Sequence, residues 1–444
     1  MSVIQDAAQK ALKTALNYVP DRWVGTAKPD PMREKHGLIG APMSRVDGPL
    51  KVQGKARFAA EVPMANLAFA ALTYSRLARG RIAILDTVAA EAAQGVVLVM
   101  THRNAPRMAP PPLFMTSAKA AGPTDLPVMQ DAEIYWNGQP IALVLAETQE
   151  QADHAASLIE VTYEAEPAVV AFDAAKTRSH QPPTVLGQPP VIEIGDAEAA
   201  LAAAPVQVDR TYRTPFQHHN AIELHAATVA WEGDQLVVHD ATQMVNSTAW
   251  TLAQVFGIEE EQVRILSPFV GGGFGGKGLW WHQILAAAAS RLAGRPVRIV
   301  LSREGVFRSV GGRTTTEQRV ALGGKADGTL ASLIHTGVAA MTEHNNCPEQ
   351  FTFPARHLYA SDTLKVAQEV ADMDMVPNTF MRAPGESVGT FALECALDEM
   401  AEAMALDPIE LRRRIEPAKD PTTGSEFSSR HLLEAYRRGA ERFG

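Results

Sequence analysis

One segment constrains this chain more than any other: Gly271-Gly272-Gly273-Phe274-Gly275-Gly276-Lys277-Gly278, set between the strand-like QVRILSPF and the helix-like LWWHQILAAAASRLAG. Five of its first six residues lack a side chain, so the main chain can approach a ligand closely and adopt positive φ. The N-terminus of the following helix offers free N–H groups and partial positive charge, which suits an anion such as phosphate. A packing turn around a buried Phe274 is the plain alternative. Gly271, Gly273 and Gly276 also spell G-x-G-x-x-G inside a strand–helix–strand unit, as in dinucleotide folds. The next strand ends Leu301-Ser302-Arg303, with no acidic ribose reader, so only an NADP-type site could be argued. The string also approaches a Walker A loop, but Gly278 stands where that loop needs a magnesium-binding hydroxyl.

The rest of the chain reads as a mixed α+β protein. Residues 1–19 place apolar residues at helical spacing, without the basic start and continuous apolar core of a signal peptide. Pro20, Pro29 and Pro31 mark an extended connector to about residue 37. GVVLVMTH and QPIALVLAE read as strands, and Thr148 caps a helix in TQEQADHAASLIEVTYE. The Pro- and Gly-rich stretch MAPPPLFMTSAKAAGPTDLP reads as a long loop. The proposed boundaries are 38–178 for a first domain, a Pro-rich linker at 179–190, and 191–444 for a second. In the second, TVAWEGDQLVVHDA reads as a hairpin, TAWTLAQVFG as a helix ending at Gly257, and Asp407-Pro408 as the start of another.

Composition sets outer limits. The 444 residues carry 41 Lys+Arg against 50 Asp+Glu, a formal charge of −9, which argues against a nucleic-acid binder. No apolar run reaches about 18 residues, so no membrane span is expected. The only cysteines, Cys347 and Cys395, cannot build an iron–sulfur or zinc site within this chain. Redox centres, if needed, must come from a cofactor or a partner.

Several ordered motifs resemble the xanthine dehydrogenase/aldehyde oxidase family of molybdenum hydroxylases, most nearly bacterial aldehyde oxidoreductase large subunits. VGGGFGGK is similar to that family's hallmark loop. RVDGPLKVQGKARFAAEV (45–62) and NGQPIALVLAETQEQADHAASLIEVTYE (137–164) resemble its α/β hammerhead domain. The stretch from GDAEAALAAAPVQVDRTY through DATQ, together with FMRAPGE (380–386), resembles its first molybdopterin-binding region. The resemblance implies an α/β hammerhead domain followed by an incomplete molybdopterin-binding domain, missing a C-terminal half that another chain could carry. It implies a molybdopterin cofactor, often the cytosine dinucleotide form in bacteria, and electron transfer to iron–sulfur and FAD subunits of a hetero-oligomer. The expected compartment is the cytoplasm, or the periplasm by export with a partner.

Residue by residue, the resemblance places Gln243 beside an oxo ligand of molybdenum and the Phe274 main chain near the metal. Gly272, Gly273 and Gly275 line the cofactor, and Arg382 matches the Arg of a second cofactor loop. Purine-oxidising members carry Glu where this chain has Gly278 and an aromatic clamp where it has Pro384. The expected substrates are therefore aldehydes or other simple carbonyls or N-heterocycles. The family's general-base Glu has no counterpart here, and Glu386 matches a loop position instead, so no catalytic residue is assigned. A catalytically incomplete chain and an NADP- or phosphate-binding enzyme remain the alternatives.

Other clusters are weaker. His218, His219, Glu223 and His225 lie close in FQHHNAIELHA, but the segment reads as extended and the order is not that of a zinc helix. Trp280 and Trp281 read as core or interface residues. Arg412, Arg413 and Arg414 read as a solvated or partner-facing run.

Overall fold

The β-branched and alternating runs form three sheets in a computed structural model that describes residues 42–444. The helix and connector expected over 1–37 lie outside the described residues. The chain divides into two units, Met1–Ala56 and Arg57–Gly444. Within the first, α1 (Gly48–Val52) carries Pro49 in its first turn, and Arg45 and Lys51 both pair with Asp47.

In the second unit, β1 (Ala68–Tyr74), β2 (Gly80–Asp86), β3 (Val96–Thr101), β4 (Glu133–Ile134), β5 (Pro140–Ala146) and β6 (Glu160–Ala165) come first. Strands β7 (Val191–Ile194), β8 (Val206–Thr214), β9 (Ala226–Glu232), β10 (Gln235–Asp240), β11 (Val263–Leu266) and β12 (Val297–Val300) follow. The last three are β13 (Thr316–Gly324), β14 (Leu330–Met341) and β15 (Thr363–Asp372). One seven-stranded sheet runs β11-β10-β9-β12-β1-β5-β3, a five-stranded sheet runs β7-β15-β14-β13-β8, and a small sheet runs β4-β2-β6.

Local signals in the sequence account for many of the ends. Helix α2 (Gln149–Ser157) starts with Thr148 and Gln151 in a reciprocal capping box. Helix α3 (Ala197–Ala203) is capped by Asp196. Helix α4 (Val245–Phe256) stops at left-handed Gly257, φ 64°. Strands β9 and β10 form the hairpin, Glu232 opposite Gln235.

The seven-stranded sheet is built from both halves of the second unit. Strand β1 pairs in parallel with β12, Ala68 opposite Val297, and antiparallel with β5, Phe69 opposite Ala146. Every residue of β5 is buried, as a strand covered on both faces requires. Helix α5 (Trp281–Ala293) lies against this sheet with Ile284, Leu285 and Ala286–Ala289 at 0% exposure. Helix α6 (Glu386–Ala403) covers the five-stranded sheet, burying Ala392, Leu393, Ala396, Leu397 and Met400.

This topology corrects the dinucleotide-fold reading. The strand before the glycine loop, β11, pairs with β10, whereas the strand after α5, β12, sits between β9 and β1. The adjacent parallel pair that a dinucleotide crossover requires is not formed.

Candidate cofactor site

Leaving β11, the chain turns through left-handed main chain at Gly272 (φ 97°), Phe274 (φ 55°) and Gly275 (φ 101°). The Gly276 N–H closes the turn on the Gly273 carbonyl at 2.8 Å. Phe274 is 44% exposed, which speaks against the alternative of a packing turn around a buried ring. Its non-glycine left-handed conformation is a costly state that persists only when its surroundings fix it.

Gln243 follows β10 and grips this turn. Its Oε1 accepts from the N–H of Gly275 at 3.0 Å and of Lys277 at 3.4 Å, and its own N–H donates to the Lys277 carbonyl at 2.7 Å. These bonds commit the side-chain oxygen and leave the Nε2 amide without a hydrogen bond among the described residues. A Cβ on Gly273 would come within 2.5 Å of Gln243 Cδ, so the bare main chain is what admits the amide.

A second loop meets the first main chain to main chain. The Arg382 N–H donates to the Phe274 carbonyl at 2.7 Å. A Cβ on Gly275 would come within 2.9 Å of the Phe380 carbonyl carbon. This loop also holds left-handed residues, Ala383 (φ 60°) and Gly385 (φ 78°). The exposed Arg382 guanidinium has no hydrogen bond or ion pair among the described residues. Glu386 is exposed at the start of α6, away from any pairing in this loop.

Sequence reasoning missed the supports beneath both loops. Arg313, 3% exposed, donates through Nη2 to the carbonyls of Met381, Arg382 and Ala383 at 3.0, 2.7 and 3.0 Å. Glu349 lies 3.2 Å from Arg313 Nε and accepts from Gly385 N–H at 2.7 Å; burial pushes its carboxyl pKa up. The available signal was Gly311-Gly312 before Arg313, because a Cβ on either would overlap the Pro377 or Gln217 carbonyl.

The remaining candidates go to separate partners. His219 Nε2 bonds the Phe380 carbonyl at 2.7 Å and His225 Nε2 the Gly276 carbonyl at 3.0 Å. Burial drives the His225 pKa down to about 4 and lowers that of His219, and each ring donates to its carbonyl. Glu223 accepts from Gly271 N–H at 2.5 Å and Lys277 Nζ at 2.6 Å. The Lys277 side chain is fully buried, which removes it from the phosphate-binding role a Walker lysine would have. His218 lies against the Phe216 and Phe307 rings. No group of three His, Cys, Asp or Glu with metal-holding geometry occurs among the described residues.

The helix after the loop also differs from the anion-site expectation. Its first turn is buried: Trp280 and Trp281 are each 3% exposed, and Gln283 Oε1 takes the Trp280 N–H at 2.8 Å. Trp281 packs edge-on to Trp136 at 5.0 Å, and Trp280 Nε1 donates to the Gly276 carbonyl. Within the loop, the amides of Gly271, Gly275, Gly276 and Lys277 go to acceptors of the chain itself. A cavity of about 300 Å³ adjoins Gln243, Gly275 and Gly278, walled by Phe114, Trp280 and Phe380.

Two main-chain loops joined by the Arg382–Phe274 bond, with the Gln243 side chain on the first, make up the candidate site. A family profile for the molybdopterin cofactor-binding domain matches residues 178–415. A second, for the aldehyde oxidase and xanthine dehydrogenase a/b hammerhead domain, matches 53–167. The chain belongs to the aldehyde oxidase and xanthine dehydrogenase family, as a hammerhead and molybdopterin-binding portion. It is 37% identical over 414 residues to the aldehyde oxidoreductase molybdenum-binding subunit PaoC of Escherichia coli O157:H7, covering 92% of this chain and 54% of that protein. It is 27% identical over 420 residues to the putative xanthine dehydrogenase molybdenum-binding subunit XdhA of Escherichia coli K12, covering 90% and 55%. The chain thus spans about half the length of the curated relatives it matches. Its fold matches the aldehyde oxidoreductase of Desulfovibrio gigas with a TM-score of 0.79 at 23% identity, covering 90% of this chain and 46% of that one. CO dehydrogenase from Oligotropha carboxidovorans matches with a TM-score of 0.79 at 21% identity, covering 94% and 56%.

Proposed function

We propose that this chain is the cofactor-gripping part of a molybdenum hydroxylase that oxidises aldehydes or related carbonyl and N-heterocyclic substrates. The observation that carries the reading is the committed Oε1 and free Nε2 of Gln243 above the joint of two clasped loops. When bound, a molybdopterin-held metal supplies the oxidation, with oxygen drawn from water. The residues present fit that group. Gly272, Gly273 and Gly275 would give it bare main chain, Gln243 Nε2 would give it an uncharged donor, and the Phe274 main chain and Arg382 would border it from the two loops. A Gln donor polarises an oxo group without adding charge.

The cavity beside Gln243 supports aldehydes over purines. Phe114, Trp280 and Phe380 give it apolar walls beside the neutral polar Asn345, Asn378 and Thr379, and Gly278 contributes no acid. The purine reading needs an acidic hydrogen-bond partner, and no Asp or Glu is among the described residues that line this cavity. The general base has no evident candidate at this site: Glu223 is ion-paired to Lys277, and Glu349 lies beneath the second loop against Arg313. We assign the base to a segment outside these residues. We further propose the cytosine dinucleotide form of the cofactor and electron transfer to iron–sulfur and FAD subunits, because Cys347 and Cys395 cannot hold clusters in this chain.

The test is molybdenum and pterin content of the purified assembly, with turnover of an aromatic aldehyde against xanthine. Stoichiometric metal and aldehyde oxidation support the proposal. Absence of both metal and pterin overturns it.

A further inference from the structure

We infer that Arg313 is a positioning residue that sets the 380–385 loop and, through it, the main chain of Phe274. The inference rests on the reading that this loop faces the cofactor. A buried guanidinium is costly without partners, and Arg313, 3% exposed, leaves its Nε without a hydrogen bond but 3.2 Å from a Glu349 oxygen. Here a single nitrogen, Nη2, takes three successive main-chain carbonyls, 381 to 383. Nη1 reaches Gln217 Oε1 at 3.4 Å. His219 holds the carbonyl just before them, on Phe380, and Glu349 holds the Gly385 amide just after.

Four consecutive carbonyls are thereby turned toward the protein. A planar trans peptide that points its C=O one way points its N–H the other. Facing the Arg382 carbonyl to Arg313 therefore directs the Ala383 amide away from it. The left-handed Ala383 and Gly385 need such over-determination to persist. The effect passes to the glycine loop through Arg382 N–H and the Phe274 carbonyl, 2.7 Å apart. Arg313 is itself fixed by reciprocal main-chain bonds with Gln217 at 2.9 and 3.0 Å. A Lys keeps the charge but loses the planar fork that serves carbonyls, Gln217 and Glu349 together.

The test uses the full chain in its assembly, with Arg313→Lys, and Arg313→Ala with and without added guanidinium. Hydrogen exchange is followed in peptides spanning 380–386 and in β13–β15, and molybdopterin per chain is measured alongside. In Arg313→Lys, exchange at 380–386 rises at least tenfold while β13–β15 keep wild-type rates, and molybdopterin retention falls at least fivefold. Guanidinium restores both to Arg313→Ala. If the Ala variant does not fold, the Lys variant carries the test. Unchanged exchange at 380–386, or loss of protection spread evenly over β13–β15, overturns the inference. If the wild-type assembly holds no molybdopterin, the proposed function fails and exchange alone decides the role of Arg313.

Discussion

Gln243 and Gly273 occupy one another's space: a Cβ on Gly273 would sit 2.5 Å from Gln243 Cδ and 2.9 Å from its Cγ. Gly273 is not left-handed, so alanine is conformationally admissible there and the conflict is with this one side chain.

Gly273→Ala is therefore expected to displace the Gln243 amide and leave the fold intact. Overpacking of this kind costs about 1–3 kcal/mol. Removing the opposing side chain relieves it, so the double variant Gly273→Ala/Gln243→Ala is expected to be more stable than the sum of the two single changes. Urea unfolding of the four proteins measures the coupling. Additive losses would show that the two residues do not compete.

Asp240 links stability to pH. It is 2% exposed, and burial pushes its pKa up to about 7 against an ordinary 3.8. Between about pH 4 and 7 the folded state holds a proton the unfolded state has released, so this group's stabilisation falls as pH rises through that window. His225 has the opposite sign: its folded value, about 4, lies below 6.5, so its contribution grows with pH between them. The stability of wild type relative to Asp240→Asn is expected to drop by roughly 1 kcal/mol per unit from pH 5 to 7. A pH-independent difference would contradict the assignment.

The arginine run divides. Arg412 is 8% exposed, contrary to the solvated reading, because it turns inward to Glu394 at 2.6 Å and Asp398 at 2.8 Å. Its helix, α7 (Pro408–Arg414), lays that side chain against α6. Among the described residues Arg413 pairs with Glu410, on its own helix and in solvent. Arg412→Ala is expected to cost about 1–2 kcal/mol through the lost ion pairs and the lost packing of its stem. Arg413→Ala is expected to leave the thermal midpoint unchanged. Equal shifts would contradict the division.

Substrate choice follows from the cavity wall. Gly278 leaves it without an acid, so benzaldehyde turnover is expected to exceed xanthine turnover by at least about a hundredfold in kcat/KM. Gly278→Glu is expected to weaken benzaldehyde oxidation, since an unpaired carboxylate beside Phe114 and Trp280 disfavours an apolar ring. Comparable rates on the two substrates would refute the aldehyde reading.

Much of the local structure was legible. Thr148 and Asp407 cap their helices, and Gly257 ends α4, because each satisfies orphan main-chain groups within a few residues. The glycine string marked the loop, and the family resemblance pointed to Gln243. What stayed hidden was nonlocal. Nothing near β1 says that it pairs with β12, 229 residues on at Ala68 and Val297. Arg412 read as solvated or partner-facing, and nothing in the sequence singled out Arg313, because their acceptors come from distant segments. For Phe274 the sequence left a packing turn around a buried ring as the alternative, and its 44% exposure on left-handed main chain speaks against that alternative.

The central claim is that bare main chain at 271–276, clasped by the 380–385 loop, grips a molybdopterin. Its most direct test is molybdenum and pterin per chain in the assembled wild type beside Gly275→Ala, whose new Cβ would drive the two loops apart at Phe380. The account predicts close to one cofactor per wild-type chain and a loss of at least tenfold in the variant. Equal cofactor content in the two proteins, or none in the wild type, would contradict it.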